Sequence, residues 1–224
     1  MQITPNVHLI RGVFANPYLI VDPDGLTLID TGLPGSEKKI LKYIAGIGKS
    51  PRDLKRIIIT HADGDHYGSL NALKAASGAR VFASAKEAEA MAAGKSSRQL
   101  KPGNLFARIF FALLAPLFTA LPTAVDEVIG DGQTLPILGG LRVLSTPGHT
   151  PDHISLFAPS AGVLFAGDSM KSSRDRLDGS SGGNTWDEAK ANESVRKQAA
   201  LGAMIVCVGH GPVIADAVSK FPQL

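Results

Sequence analysis

Ile57-Ile58-Ile59-Thr60-His61-Ala62-Asp63-Gly64-Asp65-His66 is the stretch on which the reading of this chain turns. A run of β-branched residues stops at His61, which marks a buried strand whose end opens into a loop. Gly64 permits a sharp bend there, and the periodicity from Tyr67 to Ala76 predicts a helix beginning just after His66. Two imidazoles and two carboxylates thus fall within six residues. That mixture of nitrogen and oxygen donors suits a borderline divalent ion such as zinc, in one site or in two.

Three shorter pieces downstream repeat the arrangement: Thr146-Pro147-Gly148-His149-Thr150-Pro151, Ala166-Gly167-Asp168-Ser169 and Val208-Gly209-His210-Gly211-Pro212. Each puts a candidate ligand directly after an apolar strand, beside a glycine that lets backbone come close to an ion. In this order the four pieces resemble the metallo-β-lactamase superfamily. Its T-H-x-H-x-D-H signature is matched from Thr60 to His66, with Asp63 where the second His is usual.

The resemblance covers nearly the whole chain and implies an α/β fold, a four-layer αββα sandwich with the site at one edge of its two sheets. It implies that His61, Asp63 and His149 hold a first ion, that Asp65, His66 and His210 hold a second, and that Asp168 bridges them. Two zinc ions are expected, with a hydroxide between them as nucleophile and Asp65 orienting it or relaying its proton. Asp63 makes the first site harder and more negative than a histidine would, which brings in iron or manganese as alternatives. An Asp at the position of Asp30 commonly supports a ligand from beneath in this family; a plain turn or cap is the other reading. His153 is read as a structural or supporting histidine rather than a ligand, and His8 carries no supporting motif.

Composition agrees with one domain over residues 1–224: 44% of the residues are hydrophobic, ample for a buried core. A net charge of +3 makes no case for nucleic acid, and the seven Lys and Arg between Lys38 and Arg56 read as a solvated helix face and its following loop. Cys207 is the one cysteine, so neither an internal disulfide nor a Cys-rich zinc knot is available. Met1 to Asn6 lacks the basic and apolar regions of an export signal, and cytoplasmic residence is the expectation.

Along the chain, strands are predicted over Val7 to Val13, Tyr18 to Val21 and Leu26 to Ile29, then a helix over Ser36 to Ile47. Arg80 to Ala83 reads as a strand, and Ser84 to Ala93 as an Ala-rich helix capped by Ser84. A helical insertion is predicted at about 95–122, very apolar from Asn104 to Leu121, with Phe106, Ile109, Phe110, Phe111, Leu113, Leu114, Leu117 and Phe118 crowded together. Arg108 and Pro116 interrupt it, and its uncharged part is too short to span a membrane. It reads as a cover that fills core, lines an apolar pocket or makes a homodimer contact. Later strands are predicted at Glu127 to Ile129, Leu135 to Leu138, Leu141 to Ser145 across a tight Gly139-Gly140 link, Ile154 to Ala158, Val163 to Ala166 and Met204 to Val208. Ser172 to Asn184 reads as a mobile loop, and Thr185 to Leu201 as a helix capped by Thr185.

The leading expectation is a dinuclear metal-dependent hydrolase of a small ester, thioester, lactone or related substrate, with a slight tilt toward acyl groups. The alternatives are an iron-dependent oxidoreductase of the same fold, motivated by the Asp63 carboxylate, and a non-catalytic metal-binding protein.

Overall fold

Short apolar runs broken by Asp, Gly and Pro turns give two mixed sheets, and each strand divides its side chains between two cores. The structure, a computed structural model, describes residues 1–98, 113 and 115–223. The first sheet runs in the order β1 (Gln2–Thr4), β2 (Val7–Leu9), β3 (Tyr18–Asp22), β4 (Gly25–Ile29), β5 (Leu54–Ile58), β6 (Arg80–Ala83) and β7 (Glu127–Val128). Its first four strands form an antiparallel meander, and β4 to β7 pair in parallel. The second sheet contains β8 (Thr134–Leu135), β9 (Leu141–Ser145), β10 (Ile154–Ala158) and β11 (Val163–Gly167). A separate hairpin, β12 (Met170–Ser173) with β13 (Arg176–Gly179), comes next, after which β14 (Ile205–Val208) pairs in parallel with β11 and antiparallel with β15 (Ile214–Ala215).

Period-2 alternation sorts the layers. Ile20, Ile29, Ile58 and Phe82 of the first sheet meet Val143, Leu156, Phe165 and Cys207 of the second in a shared inner core. The alternate residues Leu19, Leu28, Ile57 and Val81 face outward, where α1 (Glu37–Gly46), through Ile40 and Ile44, and α3 (Leu70–Ser77), through Leu70 and Leu73, cover them. On the far side Leu144, Leu164 and Val206 pack with Val195 of α5 (Glu188–Ala199). Helix, sheet, sheet, helix is therefore the order of layers, as expected. The two sheets are tied at one edge by the Ile154 amide, which donates to the Thr60 carbonyl at 3.1 Å, and by the Tyr18 hydroxyl, which donates to the Val208 carbonyl at 2.7 Å.

Several local expectations need correction. The helix near His66 starts earlier, as the one-turn α2 (Gly64–Tyr67), and breaks before α3. The break falls at Ser69, whose hydroxyl donates to the Leu33 carbonyl and accepts the Ser36 and Glu37 amides, so it holds the start of α1 instead of extending its own helix. Ser84 stands at the N-terminus of α4 (Ala85–Ala92), but its hydroxyl donates to the Asp152 carbonyl rather than capping. Asp187, not Thr185, caps α5 by accepting the Lys190 amide. The strand expected over Leu135 to Leu138 ends at Leu135, because Leu138 and both following glycines have positive φ. Ser172 to Asn184 is largely the β12–β13 hairpin, not a loop. Most of the insertion expected at about 95–122, including Phe106, Ile109, Phe110, Phe111 and Leu114, lies outside the described residues. Among the described residues no helix is long and apolar enough to cross a membrane.

Candidate metal centre

Strand ends build the site. Asp30 follows β4, His61 and Asp63 follow β5, Asp168 follows β11, and His210 follows β14, all at carboxyl ends where parallel strands open a crevice. His149 comes from the loop after β9, and α2 carries Asp65 and His66. The Thr31 amide and hydroxyl both donate to the His66 carbonyl, which fixes that one-turn helix against the end of β4. Gly209 is required by packing: a Cβ there would collide with Asp168 Oδ1.

All seven sequence-predicted side chains converge. Potential ligand atoms fall into three sets, each within 4.8 Å: His61, Asp63 and His149; Asp65, His66 and His210; and His61, His66 and Asp168. Asp168 lies at the middle, with Oδ1 3.3 Å from His66 Nε2, and Oδ2 3.5 Å from His149 Nε2 and 3.4 Å from His210 Nε2. Asp65 Oδ2 is 3.2 Å from His210 Nε2.

The imidazoles are oriented from behind. Asp30, held in the left-handed backbone region at φ 59°, accepts from the Thr60 amide and hydroxyl and from His66 Nδ1 at 2.8 Å. Strain at such a residue is sustained only where its surroundings demand it. The Thr60 hydroxyl gives its one proton to Asp30, so the 3.0 Å contact with His61 Nδ1 has the imidazole as donor. Both rings thereby present Nε2 to the centre, the arrangement that fixes a ligand's tautomer. His153 does not join them: its Nε2 accepts the Asp168 amide at 3.1 Å and its Nδ1 meets the Thr146 hydroxyl.

Electrostatics follow from this crowding. Burial alone would raise the Asp168 carboxyl, yet the imidazoles that face it, His66 first and then His210, hold it well below the usual carboxylate range. Asp65 is lowered in the same way by His66 and His210 despite its burial. Burial would lower His210, but the carboxylates of Asp168 and Asp65 bring it up to about 9. His153, desolvated and beside other histidines, is pushed well below its ordinary value.

Two residues that carry no motif complete the centre. Glu87, fully buried on α4, accepts the Ala62 amide at 2.8 Å, the Ser97 and Thr150 hydroxyls at 2.8 and 2.7 Å, and the Asp152 amide at 3.3 Å. Its signal in the sequence is its phase, since it shares a helix face with buried Met91 four residues on. Arg98 reaches in from the polar stretch after α4: its Nη2 donates to Asp63 Oδ2 and lies 3.2 Å from His149 Nε2, while the Ser96 hydroxyl donates to Asp63 Oδ1 at 2.6 Å. Nothing in the local pattern marks Arg98.

The donor chemistry fits a divalent ion. Among the described residues Arg98 Nε and three atoms able to ligate a metal, His61 Nε2, His66 Nε2 and Asp168 Oδ1, are buried without a hydrogen-bond partner, and for those three the arrangement is costly unless a cation meets them. They lie beneath a cleft of about 620 Å³ lined by Asp63, Asp65, His149, Asp168 and His210, with Phe14 and Phe118 among its apolar residues. Phe14 stands edge-on to both His210 and Phe118.

Comparison with known proteins agrees with this geometry. The chain is 29% identical to the probable metallo-hydrolase YflN of Bacillus subtilis (strain 168), over 94% of its own length and 85% of that protein. It is 28% identical to a hydroxyacylglutathione hydrolase of Chromohalobacter salexigens, of which it spans 60%. Among solved structures, a metallo-beta-lactamase family protein from Thermus thermophilus superposes with a TM-score of 0.73 at 25% identity, covering 98% of this chain and 78% of that one. A Cronobacter sakazakii metallo-beta-lactamase with a HARLDQ motif gives 0.73 at 28% identity, over 93% of this chain and 79% of its own. The profile of the Metallo-beta-lactamase superfamily matches residues 10–210, and with the fold and the donor cluster in agreement the chain belongs to that superfamily.

Proposed function

We propose that the chain is a metal-dependent hydrolase of a small ester, thioester, lactone or related substrate, with zinc as its ion. The observation that carries this is the set of buried, unpartnered donor atoms on His61, His66 and Asp168 beneath an open cleft. The candidate donors are drawn from His61, Asp63, His149, Asp65, His66, His210 and Asp168, in the three overlapping sets described above. The likeness to a probable metallo-hydrolase and to a hydroxyacylglutathione hydrolase supports the reaction class. A divalent ion bound there would acidify a water molecule and polarise the scissile carbonyl oxygen.

The chain's own residues supply the rest. Asp65, ionised and lining the cleft, accepts a proton from the attacking water on a carboxylate oxygen. Phe14 and Phe118 offer an apolar wall for an acyl group. Asp30 and Thr60 keep the imidazoles of His66 and His61 turned inward.

The test is a panel of carboxylic esters, thioesters and acyl lactones of graded chain length, run with chelated and zinc-restored protein. Turnover of at least one class is expected, abolished by chelation and recovered with zinc. Phe14→Ser should raise KM more for long acyl chains than for short ones, since each lost CH₂ contact is worth about 0.8 kcal/mol. No turnover on any class, or turnover indifferent to chelation, overturns the proposal. The Asp63 carboxylate that motivates the iron-dependent oxidoreductase reading accepts hydrogen bonds from Arg98 and Ser96.

A further inference from the structure

The donor cluster is not symmetrical, and Arg98 is the reason. Of the ligand atoms in the His61, Asp63 and His149 set, Asp63 Oδ2 and His149 Nε2 both face one guanidinium nitrogen of Arg98. Asp63 Oδ1 accepts from Ser96, so both oxygens of that carboxylate are engaged. The Arg98 side chain is only 6% exposed, hence the guanidinium is inside the centre rather than resting on its rim. Four buried side-chain polar atoms among the described residues lack a partner: Arg98 Nε, an N–H donor that cannot ligate a cation, and His61 Nε2, His66 Nε2 and Asp168 Oδ1, whose residues form one of the sets able to hold an ion.

Charge explains the pairing. Asp63 places an anion where the family signature has a neutral imidazole, and a buried anion requires a partner. A guanidinium supplies a fixed positive charge and directional N–H donors to carboxylate and imidazole together. An ion entering between Asp63 and His149 would have to displace it.

We propose that Arg98 is the built-in cation of the Asp63–His149 half of the centre, and that the chain therefore holds one divalent ion, on His61, His66 and Asp168 with Asp65 and His210 adjacent. Asp63 then serves as the partner of Arg98 and not as a metal ligand, and His61 belongs with His66 rather than with Asp63. The inference rests on the metal-dependent reading above and refines the number and place of its ions.

Metal content after equilibration with excess zinc and desalting tests it. Wild type should retain one zinc per chain, Asp63→Ala also one, and Arg98→Met, which removes the charge while keeping a long side chain, should retain two. Anomalous scattering at the zinc edge from wild-type crystals should give one peak, among His61, His66 and Asp168, and none between Asp63 and His149. Two zinc ions in wild type, or a peak beside Asp63, overturn the proposal whether or not the variant folds, as does a folded Arg98→Met that still holds only one. Zinc bound by neither protein would instead overturn the metal-dependent reading itself, so the two failures are distinguishable.

Discussion

The two halves of the donor cluster use the same residue types and meet at Asp168, yet they are in opposite states of satisfaction. On one side Asp63 and His149 have found Arg98 and Ser96; on the other His61, His66 and Asp168 keep donor atoms buried and unpartnered. A buried polar atom left unmet costs about 1–3 kcal/mol, and more if charged, so the second half is the one with a standing demand for a cation. Ligand-type residues at family spacing therefore mark where an ion can bind, while their present partners decide which of those places remain open.

The comparison can be broken most forcefully by deleting one imidazole from each half. His66→Ala should lose bound zinc and lower kcat/KM at least about 10²-fold, the scale of removing one fixed electrostatic stabiliser. His149→Ala should still retain its zinc, because its Nε2 faces Arg98. Equal loss of zinc from both variants, measured by metal analysis, would show that the halves are equivalent.

This asymmetry was only half legible in the sequence. The strand ends and the candidate ligands beside them could be read from apolar runs stopping at His, Asp and Gly, because those signals are local; the four layers and the grouping of the seven candidates came from the resemblance to the superfamily. Arg98 and Glu87 could not, since their roles come from what they meet across the fold: Arg98 is 35 residues from Asp63 in sequence, and Glu87 is 63 from Thr150. The hairpin from Met170 to Gly179 was hidden for a related reason. Its Ser-, Asp- and Gly-rich sequence reads as loop, yet Met170 and Leu177 are fully buried in the outer core. The caps failed where a nearer partner claimed the hydroxyl, as the Asp152 carbonyl does for Ser84.

A smaller effect sharpens the contrast through the residues behind each half. Asp30 supports His66 through Nδ1, whereas Ser96 supports Asp63. Asp30→Asn should weaken zinc binding about 10–100-fold, the usual cost of losing a carboxylate behind a ligating histidine. Ser96→Ala should leave zinc affinity unchanged in the same competition titration with a chelating dye. A matching loss in Ser96→Ala would place the ion partly on Asp63.

A further effect belongs to Glu87, most of whose hydrogen bonds brace the Arg98 half. One of its oxygens takes the Ala62 amide beside Asp63; the other takes the Ser97 hydroxyl beside Arg98, the Thr150 hydroxyl beside His149 and the Asp152 amide. Glutamine is nearly the same shape but has only one acceptor oxygen. If that oxygen keeps the Ser97, Thr150 and Asp152 donors, the new amide NH₂ faces the Ala62 N–H, donor against donor, in a fully buried position. One hydrogen bond is lost and a buried amide is left unmet, a cost of about 1–3 kcal/mol. For a chain of this size each kcal/mol shifts the melting temperature by roughly 2–4 °C. Glu87→Gln should therefore melt several degrees lower in a calorimetric scan while still retaining one zinc per chain, because among the described residues its hydrogen bonds go to Ala62, Ser97, Thr150 and Asp152 and to no side chain of His61, His66 or Asp168. Loss of the zinc with little change in melting temperature would show that the brace serves the ion's half after all, and the separation between the two halves would fail at its base.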